Sequence, residues 1–144
     1  MSITFFSPRE STAAVCYDHY YRELLQKYPD YTWVYGSNLK GTGYAGQAII
    51  RDEPNAFGVP TKRLPAMTSA SFMTGTPADY AEVDIALGTI EELLAAKKVV
   101  VFPLTGLGTG LAKLNIMAPE LLAYIDGRVS AMIHADYTLL RHTR

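Results

Sequence analysis

Short apolar runs, most of them bounded by glycine or proline, recur along the chain and predict its strands. Aromatic and β-branched residues dominate these runs, which is typical of strands. The run at residues 99–104 shows no polar alternation, which indicates a strand covered on both faces. The predicted strands are residues 3–6, 31–35, 56–61, 99–104 and 129–133.

Longer stretches, with apolar residues every three or four positions, predict helices between the strands. Ser7 before Pro8 is a good helix start, because a hydroxyl that caps the N-terminus precedes proline at the first helical position. The same arrangement recurs at Thr76 and Pro77. Residues 62–75 show no firm period. The predicted helices are residues 8–28, 44–51, 77–96 and 118–125.

The alternation of strands and helices indicates the fold class. It favours an α/β protein, a three-layer α/β/α sandwich with a mixed, mostly parallel central sheet. A chain of 144 residues is expected to form one domain over residues 1–144, with residues 134–144 as a loosely ordered tail. Ligands of such folds bind outside the carboxyl ends of the strands, so the loops that follow strands form the candidate site.

Two of the predicted strands run into glycine-rich loops, at residues 36–47 and 105–110. Small residues after a buried strand expose backbone N–H groups that bind anions. We therefore expect the two loops to meet and to hold a phosphorylated ligand. Asn38 either contacts a sugar hydroxyl or caps its own turn, and the second loop also fits a plain strand-to-helix turn.

Composition limits how such a ligand is held. Hydrophobic residues make up 49% of the chain and charged residues 19%, as in globular proteins. The formal net charge is -1, so no overall basic field attracts nucleic acid and an anion must be bound by backbone and local side chains. Cys16 is the only cysteine, which excludes an intramolecular disulfide and a cysteine-rich zinc site.

The remaining features favour no further chemistry. No apolar run approaches the ~18 residues of a membrane span, and no basic leader is present, so we expect a cytoplasmic protein without a membrane partner. His134, Asp136 and His142 lack firm metal-binding spacing. We therefore expect neither a metal nor a cofactor.

Taken together, the two loops resemble those of the macrodomain family, whose members bind ADP-ribose. The resemblance covers residues 33–125 and includes Pro103 at the end of its strand. It is closest to the compact branch similar to the terminal ADP-ribose protein glycohydrolase, on two short motifs. These are Thr61-Lys62 after a short strand and Gly108-Thr109-Gly110-Leu111 after a later one.

The resemblance implies a macrodomain fold and a set of ligand-binding residues. Backbone amides of both loops would surround the diphosphate, and Asn38 would contact the distal ribose. Tyr44 is the preferred tyrosine for stacking on adenine or ribose, because it begins the predicted helix beside the loop. The implied ligand-binding residues are Gly36, Ser37, Asn38, Gly41, Thr42, Gly43, Tyr44, Ala45, Gly46, Pro103, Thr105, Gly106, Leu107, Gly108, Thr109, Gly110 and Leu111.

The resemblance also implies a catalytic lysine. In that branch the lysine of the Thr-Lys motif attacks the anomeric carbon, a role that falls on Lys62, and an aspartate directly after Gly-Leu assists it. Lys62 can instead be a charge partner to a phosphate or a solvated surface lysine. Ala112 stands at the position of that aspartate. A hydrolase built on this chain would therefore use a positioned water, with Asn38 orienting it.

Three functions stay open at the level of the sequence. The first is a module that binds ADP-ribose or a related ADP-ribosyl nucleotide. The second is a hydrolase that removes ADP-ribose from a protein or nucleic acid, or that processes an ADP-ribose derivative. The third is a non-catalytic protein-interaction module, with structural loops and an apolar patch at residues 64–72.

Overall fold

The computed structural model describes residues 14–135, and a four-stranded parallel sheet forms its centre. The strands lie in the order β1-β4-β2-β3, so β3 is at one edge of the described sheet. The strands are β1 (Ala14–Tyr17), β2 (Thr32–Asn38), β3 (Ala56–Lys62) and β4 (Val100–Pro103). The helices are α1 (Arg22–Lys27), α2 (Pro77–Ala95), α3 (Leu114–Met117) and α4 (Pro119–His134), with 3-10 helices at Gly46–Ile50 and Ser69–Ser71.

Helices cover both faces of the sheet. Neighbouring residues of a strand point to opposite faces, so Val34 and Trp33 of β2 show which elements pack on each face. Val34 belongs to a buried cluster with Leu87 of α2 and side chains of α4. Trp33, next to it in β2, packs instead with Leu24 of α1 and Ile50 of the first 3-10 helix. The predicted α/β architecture is confirmed, and each neighbouring pair of described strands is parallel.

The long helix and three strands form where the sequence predicts them. β2, β3 and β4 match the runs at residues 31–35, 56–61 and 99–104. The Thr76 hydroxyl accepts a hydrogen bond from the Asp79 N–H, and the Asp79 carboxylate accepts one from the Thr76 N–H. This reciprocal capping box begins α2 as predicted.

β3 has an irregular end. Pro60 interrupts the strand, and the pairing register with β2 shifts between Ser37 and Asn38. Lys62 at the end of the strand forms an isolated antiparallel bridge with Phe72. The chain between these two residues therefore folds back against the end of β3.

The predicted helix at residues 8–28 is wrong over the part that the structure describes. Residues 14–17 form β1, with Ala14 opposite Val100 in β4, and α1 covers only Arg22–Lys27. Pairing with β4 buries Ala14 completely, and β-branched Val15 favours the strand. The strand predicted at residues 3–6 lies outside the described residues.

The predicted strand at residues 129–133 is also wrong, because these residues belong to α4. Val129, Met132 and Ile133 are three and four positions apart and all pack on the same core cluster. That helical spacing outweighs the short apolar run. α4 therefore extends the helix predicted at residues 118–125.

Two further predictions differ at their ends. The helix predicted at residues 44–51 is a 3-10 helix at Gly46–Ile50. Gly43 and Gly46 have φ angles of 98° and 59°, which do not fit the start of an α-helix. Of the tail predicted at residues 134–144, the first residue ends α4 and residues 136–144 lie outside the described part.

Candidate functional site

A cavity of about 390 Å³ lies at the carboxyl ends of β2, β3 and β4. The loop after β2 lines it with residues 42–48, and the loop after β4 lines it with Thr105 and residues 108–112. β3 contributes Thr61 and Lys62. Both glycine-rich loops therefore meet at one cavity, because parallel strands end at a common edge of the sheet.

Most of the residues singled out in the sequence line this cavity, and four do not. Gly41 is outside its wall. Pro103, Gly106 and Leu107 line a second cavity of about 220 Å³, so the loop after β4 separates the two cavities. The singled-out residues that line the larger cavity are Gly36, Ser37, Asn38, Thr42, Gly43, Tyr44, Ala45, Gly46, Lys62, Thr105, Gly108, Thr109, Gly110 and Leu111.

Backbone N–H groups of both loops lack acceptors. Within residues 14–135, no oxygen accepts a hydrogen bond from the amides of residues 43–47 or of residues 107–112. The loop after β4 is closed instead by Leu114, whose N–H donates to the Gly108 carbonyl at 2.9 Å. Unpaired amides need water or a ligand, and several of them around one cavity are suited to an anion.

The core requires glycine at position 108, because an added Cβ atom would clash with Leu114. Its φ angle is 82°, and a Cβ atom on it would lie 2.3 Å from Leu114 Cδ1. Leu114 is fully buried. A side chain at position 108 would therefore displace the whole loop, because the leucine has no room to move away.

Gln47 joins the two loops and was not singled out by the sequence. Its Oε1 accepts from the Gly36 N–H at 2.9 Å, and its Nε2 donates to the Gly106 carbonyl at 2.9 Å. Nε2 also lies 3.4 Å from Thr105 Oγ1. One amide side chain therefore bridges the end of β2 and the loop after β4.

Asn38 caps its own loop. Its Oδ1 accepts from the Gly41 N–H at 2.9 Å, and its Nδ2 donates to the Thr42 carbonyl at 2.7 Å. The turn-capping alternative raised by the sequence is thus what the side chain does in this structure. Nδ2 keeps a second N–H, and Asn38 still lines the cavity.

Lys62 is a buried lysine with 7% of its surface exposed. Its Nζ donates to the Ala66 carbonyl at 2.7 Å and lies 4.9 Å from the centre of the Phe72 ring. Burial lowers the pKa of Lys62, and the nearby charge of Lys113 lowers it further. Ala112 lines the same cavity and has no acid–base group to offer the lysine.

Arg51 is a second basic group at the cavity that sequence reasoning missed. Its Nε donates to the Gly43 carbonyl at 2.7 Å, and its Nη1 donates to Ser37 Oγ at 2.8 Å. The guanidinium also lies 5.4 Å from the centre of the Tyr35 ring. The signal available in the sequence is spacing, since Arg51 lies four positions after Gln47, the last residue of a glycine-rich loop.

Tyr44 stands at the rim of the cavity with 54% of its surface exposed. Its hydroxyl donates to Asp52 Oδ2 at 2.9 Å, and this hydrogen bond raises the pKa of Tyr44. The ring is tethered at its polar end, which leaves an aromatic surface beside the loop.

Other candidate features lie elsewhere. Of the apolar segment at residues 64–72, Leu64 and Met67 are exposed and Phe72 is buried. Cys16 lines the smaller cavity, and burial raises the pKa of its thiol. In the described part of the chain, no three His, Cys, Asp or Glu side chains come together as a metal site. No helix within residues 14–135 has the length and apolar character that crossing a membrane requires.

The fold and the site together define an α/β protein with a candidate anion-binding cavity at the carboxyl edge of a parallel sheet. Residues 15–128 match the family described as a family of unknown function (DUF7831), and the chain belongs to that family. No curated protein and no solved structure matches the chain.

Proposed function

We propose that this protein binds ADP-ribose or a related ADP-ribosyl nucleotide in the larger cavity. The observation that carries the proposal is the set of amides without acceptors at residues 43–47 and 108–112, on two walls of one cavity. A diphosphate offers several acceptor oxygens and negative charge to such amides. The resemblance of both loops to macrodomains favours an ADP-ribosyl group over other diphosphates.

The size of the cavity and its rim fit the same ligand class. Its volume of about 390 Å³ lies within the range of about 300–1,000 Å³ that is common for small-molecule sites. The second Nδ2 hydrogen of Asn38 is available for a ribose hydroxyl. The exposed ring of Tyr44 offers a stacking surface for adenine or ribose.

Titration calorimetry with ADP-ribose tests this proposal, together with the variant Gly110→Val. Gly110 lines the cavity and a Cβ atom on it meets nothing within 4 Å, so valine adds bulk at the cavity wall without displacing the core. We expect heat of binding for the wild type and a loss of about ten-fold or more in affinity for the variant, since an oxyanion loses access to the loop amides.

Gly127→Val is the matched control, because Gly127 also has open space around its Cβ and lies on α4, away from the cavity. It should bind like the wild type. No heat and no thermal shift for the wild type at millimolar ADP-ribose would overturn the proposal. Unchanged affinity in Gly110→Val would remove the loop after β4 from the site.

The chemistry of Lys62 favours hydrolysis of ADP-ribosyl linkages as a second candidate function. The residue lines the cavity, only 7% of its surface is exposed, and burial lowers the pKa of its amine. Within the described residues it forms no ion pair with a carboxylate. A lowered pKa raises the fraction of neutral amine, which is the form that acts as a nucleophile.

Single-turnover assays separate this function from simple binding. The substrates are an ADP-ribosylated protein, an ADP-ribosylated nucleic acid and ADP-ribose 1''-phosphate. A hydrolase releases ADP-ribose from at least one of them, and Lys62→Met stops the release while ADP-ribose still binds. Tight binding with no release from any of the three leaves the binding function alone.

A further inference from the structure

The charged side chains of the larger cavity are both cationic. Among the described residues that line it, Arg51 and Lys62 carry charge, and no aspartate or glutamate does. Neither cation forms an ion pair with a carboxylate in the described part of the chain. The whole protein has a net charge of -1, so the charge of the cavity lining is opposite in sign to that of the chain.

The two cations are held by different segments of the chain. Arg51 follows the 3-10 helix that packs with α1. Lys62 is held by the carbonyl of Ala66, in the segment that leads towards α2. The Lys62 amine therefore donates to the protein backbone, and Arg51 is the better candidate to bind a negatively charged group of the ligand.

Arg51 is held in one orientation and still has unused donors. Nε is bound to the Gly43 carbonyl, and Nη1 donates to Ser37 Oγ and lies 3.4 Å from the Tyr35 hydroxyl. No described residue accepts a hydrogen bond from Nη2. A guanidinium has five N–H donors in a planar fork, and two of them are on Nη2.

We propose that Arg51 binds a phosphate oxygen of the ligand through Nη2, so that the cavity selects its ligand by phosphate charge. The identity of that ligand rests on the function proposed above. Backbone amides donate to many kinds of oxygen, whereas a fixed guanidinium adds full charge and a geometry that matches phosphate. A partly buried arginine without a carboxylate partner also carries a desolvation cost, which an anionic ligand offsets.

Arg51→Gln tests this assignment, with Lys98→Gln as the matched control. Both variants remove one positive charge, but Lys98 lies two residues before β4, at the amino end of the strand, whereas the cavity lies at the carboxyl ends of the strands. The probes are ADP-ribose and inorganic pyrophosphate. Affinities are measured by calorimetry at low and at high salt, and thermal unfolding confirms that each variant is folded.

We expect Arg51→Gln to lower the affinity for ADP-ribose by about ten-fold or more, since a charge-assisted hydrogen bond is lost. Its salt dependence should become shallower than that of the wild type, because fewer charges are screened. Lys98→Gln should change neither quantity. Arg51→Lys should keep the salt dependence of the wild type while losing affinity, because the charge remains and the fork does not.

A structural role alone predicts a different pattern. If Arg51 only holds Ser37 and Gly43, Arg51→Gln weakens binding with an unchanged salt dependence, and that result overturns the assignment. Equal ADP-ribose affinity in wild type and Arg51→Gln overturns it too, and leaves the proposed function standing. Arg51-dependent binding of pyrophosphate without binding of ADP-ribose supports the assignment and overturns the proposed function. Absence of binding by both probes overturns both.

Discussion

A single buried carboxylate holds the segment after β3 in place. Asp79 is 2% exposed and accepts hydrogen bonds from the backbone amides of residues 74–76. Its Oδ2 also pairs with Arg63 Nη2 at 2.9 Å. Because Arg63 directly follows Lys62, this ion pair ties the start of α2 to the lysine of the cavity.

The contacts of Asp79 predict an acid-sensitive contribution to stability. Burial raises the pKa of Asp79, but the hydrogen bonds from Arg63 and from backbone amides outweigh burial and bring the pKa from 3.8 to about 2. A lowered carboxylate pKa stabilises the folded state above pH 3.8, and this stability is lost as the pH falls through about 2. The shift corresponds to about 2 kcal/mol.

Urea denaturation of Asp79→Asn checks this prediction. We expect the free energy of unfolding of the variant to be about 2 kcal/mol lower than that of the wild type near neutral pH. Below about pH 2 the two values should approach each other, because the wild-type carboxyl is then protonated. Asp30→Asn, at an exposed position, is the control and should follow the wild type throughout. The same deficit at both pH values would show that the ionised carboxylate is not the cause.

Among the elements, the 3-10 helix at Gly46–Ile50 has the widest influence on the site. Gln47 on this helix is bound to both the Gly36 N–H and the Gly106 carbonyl. The helix therefore sets the distance between the two loops, which otherwise follow separate strands.

Replacing Gln47 with leucine should loosen the loop after β4 without unfolding the protein. The variant loses the hydrogen bonds to Gly36 and Gly106 at a partly exposed position, a cost of about 1 kcal/mol each. Hydrogen exchange should speed up at the Gly106 and Leu114 amides, whose hydrogen bonds close the loop, and stay slow at residues 100–102 in the buried strand before it. ADP-ribose affinity should fall as the loops separate. Unchanged exchange in the loop would mean that Gln47 does not hold it.

The elements that the sequence predicts correctly are those whose local signals agree with their packing. Thr76 and Asp79 cap α2 through their own side chains, so residues that are neighbours in the sequence determine where this helix begins. Residues 14–17 could not be assigned in the same way. Their helical pattern is outweighed by pairing with β4, which lies more than 80 positions further along the chain.

For the candidate site, too, the sequence predicts some features, and others depend on the fold. Glycine-rich composition after two strands was enough to locate both loops at one cavity. Gln47 and Arg51 were missed because their roles depend on partners brought near by the fold, such as Gly106 and Ser37. The two possible roles of Asn38 could be separated only by the geometry of its loop.

At the scale of the whole molecule, the ends of three strands contribute residues to the cavity. A bound ligand should therefore stabilise the whole protein against unfolding. A ligand that binds only the folded state, at about 100 times its Kd, adds about 2.7 kcal/mol to the free energy of unfolding. We expect ADP-ribose to produce this increase in a two-state urea transition of the wild type. A comparable increase in Gly110→Val would place the binding elsewhere on the molecule.

The irregular end of β3 has a consequence for how copies of this protein behave when concentrated. A strand at the edge of a sheet offers a row of backbone donors and acceptors on which a foreign strand can assemble. Pro60 supplies no donor to such a row, and the bridge from Lys62 to Phe72 occupies its end. Lys62, which lines the cavity, therefore also helps to protect this edge of the sheet against edge-to-edge aggregation.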